Sequence, residues 1–164
     1  MKIDELKNCL DQFQRETYKL FPSVKLVWIT DANGIDGRWL DRDDGMLKNS
    51  HGVYVFTTCD SDILYIGKAQ EQNSDILGRV WAHVKTPSSK RKDSTTRENI
   101  VIYPNNEWRD TEVECRDQLI TYGRFVVWAV AIQPFHYAAL FEIASLLFHN
   151  EKDGKLPPYN KQLG

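Results

Sequence analysis

Two runs of β-forming residues, 52–58 (GVYVFTT) and 63–69 (ILYIGKA), flank the polar tetrapeptide Cys59-Asp60-Ser61-Asp62. This is a hairpin pattern, and it restricts the chain to folds built around an antiparallel pair. If the turn closes so that Thr58 faces Ser61, then Tyr54 faces Tyr65 and Phe56 faces Ile63. Any even-length turn keeps the two tyrosines on one face, and an odd shift would separate them. Gly67 follows on that face, where it leaves open space beside the tyrosine pair. By itself an aromatic cross-strand pair of this kind serves equally well as core.

The remaining segments fit around that hairpin. Ile3, Leu6, Leu10, Phe13, Tyr18 and Leu20 recur at helical spacing, which predicts an amphipathic helix that ends before Pro22. Residues 24–30 (VKLVWIT) read as a strand, and 31–50, rich in Gly, Asp and Asn, as a long loop. Ile76, Val80 and Val84, with Leu77 and Trp81 beside them, form one apolar face of a helix over 76–85. A polar, basic stretch follows over 86–97, then a short strand at 100–103 and a short helix at 113–122. The run 125–132 (FVVWAVAI) predicts a buried strand. Pro134 opens a helix that extends to about Asn150, and Gly154, Pro157 and Pro158 end it. The expected fold class is α+β, a small antiparallel sheet of about three core strands flanked by helices. Residues 1–50 are expected to be an N-terminal helix-strand extension to a domain spanning 51–164.

Several classes of protein are excluded. The longest uninterrupted apolar run is the eight residues 125–132, whereas a membrane-spanning helix needs roughly 20. The charged opening MKIDELKNCL lacks the features of a secretory signal. Cys9, Cys59 and Cys115 are too far apart for a zinc site and odd in number, so the expectation is a cytoplasmic protein with reduced thiols.

Three positions break the rules of their own elements. Glu142 lies in 137–148 (YAALFEIASLLF), a helix apolar almost all round, with Ala138, Ala139 and Ser145 leaving room beside it. A lone carboxylate there needs a cation or hydrogen-bond donors, so it belongs to an internal ion pair, to a narrow solvated stripe or to a metal site. Arg79 and His83 lie four residues apart, on a helix face that is not the apolar one. Asn160 ends the stretch Pro157-Pro158-Tyr159-Asn160, whose prolines and aromatic ring are able to pin it against the domain.

Together these residues resemble the GIY-YIG nuclease superfamily. Gly52-Val53-Tyr54, then ten residues, then Tyr65-Ile66-Gly67 is similar to the signature that names it. The other parts arrive in the family's order: Arg79 and His83 on the next helix, Glu142 in a late apolar helix, and Asn160 after a proline-containing stretch. The resemblance runs from His51 to the C-terminus, with a longer interval between Arg79 and Glu142 than the family core has, so an insertion is expected around 86–123. It implies metal-dependent hydrolysis of a phosphodiester in DNA, with Mg²⁺ or another divalent cation such as Mn²⁺ held by the hard oxygens of Glu142. Arg79 would bind phosphate. Tyr54, held by Tyr65 and near Lys68, would orient or deprotonate the attacking water, provided that Lys68 or Arg79 lowers its pKa. His83 would assist as donor or relay, and Asn160 would fix substrate or a catalytic side chain.

The formal charge of −2 conceals an asymmetry. Six Lys/Arg and one acid lie between Arg79 and Arg97, a local +5 that leaves −7 on the remainder. Lys85, Lys90, Arg91, Lys92 and Arg97 are therefore expected to track a DNA backbone. A small restriction-type enzyme fits this size, and cutting both strands of a palindrome calls for a homodimer by fold-level analogy. The alternatives are a structure-directed repair or mobile-element nuclease, and a nucleic-acid-binding module that has lost catalysis.

Overall fold

The computed structural model describes residues 1–36, 45–72, 74–85, 125–160 and 162–163, with the backbone alone for 81–85. Five strands form one antiparallel sheet: β1 (Lys25–Trp28), β2 (Ile35–Asp36), β3 (Gly52–Thr57), β4 (Ile63–Ala69) and β5 (Val126–Gln133). Their order is β1-β5-β3-β4, and β2 also pairs with β5. The apolar run predicted as a buried strand is thus the central β5, and among the described residues β4 lies at an edge. Among the described residues three α-helices cover the faces: α1 (Ile3–Thr17), α2 (Ile76–Lys85) and α3 (Ala138–Asp153), the last preceded by a 3₁₀ turn, Phe135–Tyr137. None of the helices among the described residues is long and apolar enough to cross a membrane. The fold class is α+β.

Alternation along the strands divides the core in two. Tyr54, Phe56, Val127 and Ala129 point to one face and pack with Ile76, Leu77 and Val80 of α2 and with Leu47. Val53, Val55, Ile66, Trp128, Val130 and Ile132 point to the other, against Ile3, Leu6 and Leu10 of α1 and Phe141 and Leu146 of α3. Phe13 of α1 meets Phe141 of α3 edge-on, with ring centroids 5.5 Å apart. The N-terminal helix and strand therefore complete the same sheet and core as the rest: β1 pairs with β5 along Lys25–Trp28, and α1 lies on α3. The loop expected over 31–50 contains β2, whose Ile35 pairs with Val127, and it sends Leu47 fully into the core.

The hairpin keeps both tyrosines on one face but in a different register from the one expected. Tyr54 faces Gly67 and Phe56 faces Tyr65, and a bulge between Phe56 and Thr57 brings Thr57 opposite Ile63. The turn causes the difference. Ser61 takes a left-handed conformation (φ 68°), and the N–H groups of Ser61 and Asp62 donate to the carbonyl and hydroxyl oxygens of Thr58 at 3.0 and 3.1 Å. The even shift preserves the shared face but makes the tyrosines diagonal neighbours, 6.1 Å between ring centroids.

Candidate active site

Register explains what the Tyr54 ring occupies. A Cβ on Gly67 would lie 2.6 Å from both Cζ and Oη of Tyr54 and 2.8 Å from Cε1 of Tyr65. The ring fills the space that a side chain at 67 would need, so the space is not open, as the sequence suggested. Tyr54 is completely buried. A phenol hydroxyl buried without partners costs about 1–3 kcal/mol, which makes its hydrogen bonds obligatory. It is hydrogen-bonded to Tyr65 and accepts from Arg79. These three side chains form a hydrogen-bonded chain, Arg79–Tyr54–Tyr65, on the α2 face of the sheet.

Arg79 reaches Tyr54 because α2 is held at its start. Asp75 caps the helix: its Oδ1 accepts from the Gly78 N–H at 2.7 Å, while its Oδ2 accepts from the Asn49 N–H at 2.8 Å. The Ile76 N–H donates to Ser50 O at 2.8 Å, which ties the same turn to the entry of β3. Asp75 was missed in the sequence, although an Asp just before an apolar helical run is a capping signal. His83 and Lys85 lie on α2 by their backbone, and their side chains are outside the described residues. So are Lys90, Arg91, Lys92 and Arg97, and the short strand and helix expected within 100–122.

Burial pushes the Tyr54 hydroxyl well above the usual phenol range. The neighbouring Tyr65 adds to that shift, and the Arg79 guanidinium offsets only part of it. Tyr65 is raised too, first by burial; the hydrogen bond with Tyr54 works against the rise, the Glu142 carboxylate adds to it, and Arg79 opposes it. The direction is opposite to the one a tyrosine base would need. Both phenols are neutral at pH 7, and Tyr65 is the one that feels both the guanidinium and the carboxylate.

Glu142 and Lys68 sit on the opposite face. Lys68 faces Val53, one residue out of phase with Tyr54, so its stem points toward α3 and not toward the phenols. Its ammonium forms an ion pair with Oε2 of Glu142, whose side chain is 10% exposed. The expectation that Lys68 tunes Tyr54 is therefore corrected: Lys68 compensates the buried carboxylate. Among the described residues Glu142 has no second hydrogen-bond partner, and Oε1 is the oxygen that Lys68 does not hold. No group of three or more His, Cys, Asp or Glu side chains gathers among the described residues. The donor set is one hard carboxylate, which suits a cation that keeps most of its waters or takes phosphate oxygens.

Asn160 has both ends of its amide committed. Oδ1 accepts from the Ile66 N–H at 2.9 Å and Nδ2 donates to Ile66 O at 2.8 Å. The Tyr159 N–H adds a bond to Leu64 O at 3.1 Å. The tail thus closes the free edge of β4, the strand that carries Tyr65, Gly67 and Lys68. Through these bonds Asn160 positions β4, and its second Nδ2 hydrogen takes no part in them.

Compared with known protein families, curated proteins and solved structures, the chain matches none.

Proposed function

We propose that this chain is a metal-dependent endonuclease of the GIY-YIG type that hydrolyses phosphodiester bonds in DNA. The observation that carries this reading is the hydrogen-bonded chain Arg79–Tyr54–Tyr65, buried at its centre and half-buried at both ends, with the Glu142 carboxylate within electrostatic reach of Tyr65.

Arg79 spends one donor on Tyr54 and has others for a phosphate, which its planar fork suits. Tyr54 stays neutral and would direct its proton onto Tyr65. The Tyr65 hydroxyl, its oxygen then accepting, would aim its own proton outward to orient a water or a phosphate oxygen. Glu142 would hold the divalent cation through Oε1. Bound there, Mg²⁺ would supply Lewis-acid stabilisation of the charge that develops on the leaving oxygen. The phenols position the water; their raised pKa values leave its activation to other groups.

The test is nicking of supercoiled plasmid with Mg²⁺. Glu142→Ala and Tyr54→Phe should each lower the rate by about a hundredfold or more. Unchanged nicking in both would sink the reading. A second reading, a nucleic-acid-binding module without catalysis, draws on the Lys68–Glu142 pair, in which an ammonium compensates the carboxylate. DNA retention on a column without any nicking by the wild-type chain would favour it. Digesting a random-sequence DNA pool then separates a restriction-type enzyme, which leaves a fixed motif at its ends, from a nuclease directed by DNA structure.

A further inference from the structure

We propose that Lys68 occupies on Glu142 the position of a second, competing cation, so that the divalent metal and the substrate phosphodiester bind cooperatively and not independently. The inference rests on Glu142 as the metal ligand and adds a partner that controls its loading.

Three observations carry it. The Glu142 side chain is 10% exposed on a helix otherwise apolar around it, so its charge must be compensated when no metal is bound. Lys68 supplies the compensation on Oε2, and Oε1 has no partner among the described residues. The carboxylate is therefore neutralised without being saturated. Finally, the ammonium of Lys68 has no other hydrogen-bond or ion-pair partner among the described residues, and its side chain keeps 24% of its surface exposed. The root of that side chain is fixed, since Asn160 locks the backbone of β4 two residues away, whereas the head is held by one contact.

A divalent cation approaching Oε1 meets the ammonium on Oε2 and is repelled by it. A phosphodiester reverses the balance, because its anionic oxygens offer Lys68 an alternative partner. When Lys68 turns to the phosphate, the whole carboxylate becomes available. By linkage, the factor by which phosphate tightens the metal is also the factor by which the metal tightens phosphate. The empty protein thus holds metal weakly, and the loaded site assembles in one cooperative event.

The experiment titrates Mn²⁺ into the full chain and reads the free-ion signal by electron paramagnetic resonance, with and without dimethyl phosphate as the phosphodiester probe. Lys68→Met should bind Mn²⁺ at least tenfold tighter than wild type. Lys68→Arg, which keeps the charge, should stay within about threefold of wild type. Dimethyl phosphate should tighten Mn²⁺ in wild type and lose most of that effect in Lys68→Met. If Lys68→Met does not fold, Lys68→Gln carries the same expectation, since it keeps a donor but no charge. Equal or weaker Mn²⁺ binding in the uncharged variant overturns the competition. Glu142→Gln separates the two layers: if it leaves wild-type Mn²⁺ affinity intact, Glu142 is not the ligand, and the functional reading fails together with the inference.

Discussion

The two faces of the β3–β4 hairpin solve the burial of polar groups in different ways. On the α2 face, two neutral phenols and one guanidinium are joined by hydrogen bonds, and the phenols are held protonated by burial. On the α1/α3 face, opposite full charges meet in an ion pair at a carboxylate whose other oxygen has no partner among the described residues. The first arrangement is a matter of geometry, since Tyr54 is buried and its hydroxyl depends on the placement of Arg79 and Tyr65. The second is a matter of charge balance, and an incoming cation or anion can redistribute it. A single edge strand separates them, so changes on β4 tell which face depends on shape and which on charge.

The largest effect is expected from Gly67→Ala. The added methyl would stand 2.6 Å from Tyr54 Cζ and Oη, and Tyr54 is itself clamped between Phe56, Tyr65 and α2. Overpacking of that kind costs about 1–3 kcal/mol, and displacing the hydroxyl from Arg79 and Tyr65 adds to it. We expect a loss of about 3 kcal/mol in urea unfolding, with nicking reduced more than the folded fraction is. Lys68 and Glu142 point away from the added methyl, so Mn²⁺ binding by the folded fraction should stay close to wild type. A loss of metal binding as large as the loss of nicking would break the distinction between the faces.

Asn160→Ala comes next and tests what the faces share. The variant removes two hydrogen bonds from the outer edge of β4, and water can replace part of them, so about 1–2 kcal/mol is expected. Hydrogen exchange at the Ile66 amide should accelerate strongly, since that N–H loses its only acceptor among the described residues. Both nicking and the phosphate-linked gain in Mn²⁺ affinity should fall together. If only one of them falls, β4 does not position both sets of groups.

Much of this arrangement was legible in the sequence, and the failures have physical causes. Apolar spacing located α2 at 76–85, and the apolar run located β5, because burial on one or both faces leaves a strong periodic or continuous signal. The shared face of Tyr54 and Tyr65 followed from parity alone. Their register did not, because the turn is governed by Thr58 and a left-handed Ser61, and the bulge between Phe56 and Thr57 adds a residue that no strand pattern announces. Glu142 stood out as a charge in an apolar helix, yet its partner Lys68 lies 74 positions away and only the packing of α3 on β4 joins them. Asn160 was visible as an anchored tail residue, but its role depends on β4 being an edge strand, a property of the whole sheet. Strand order also explains why residues 1–50 read as an extension. The pairing of β1 and β2 with β5 spans about a hundred residues, and nothing local in the sequence points across that distance.

Alkaline pH acts on the α2 face through its phenols and gives the smallest and most specific effect. Burial raises both Tyr54 and Tyr65 in the folded chain above the value they have when unfolded, near 10. Below pH 10 both states keep these protons, and the contribution to stability is constant. As the pH rises past 10, the unfolded chain releases them while the folded chain holds them, so the unfolded state binds fewer protons and stability falls. Each retained proton steepens that fall by about 1.4 kcal/mol per pH unit. Urea unfolding of wild type and Tyr54→Phe at pH 9.5 and 11 should therefore diverge in slope, wild type losing about one proton's worth more. Absorbance at 295 nm supplies the second readout. In wild type the hydroxyls of Tyr54 and Tyr65 should both ionise late, Tyr54 only on unfolding, and Tyr54→Phe should abolish that last step. Equal slopes in the two proteins would mean that the Arg79 guanidinium outweighs burial at Tyr54. The phenol chain would then be governed by charge, as the Lys68–Glu142 face is, and the division between the faces would disappear.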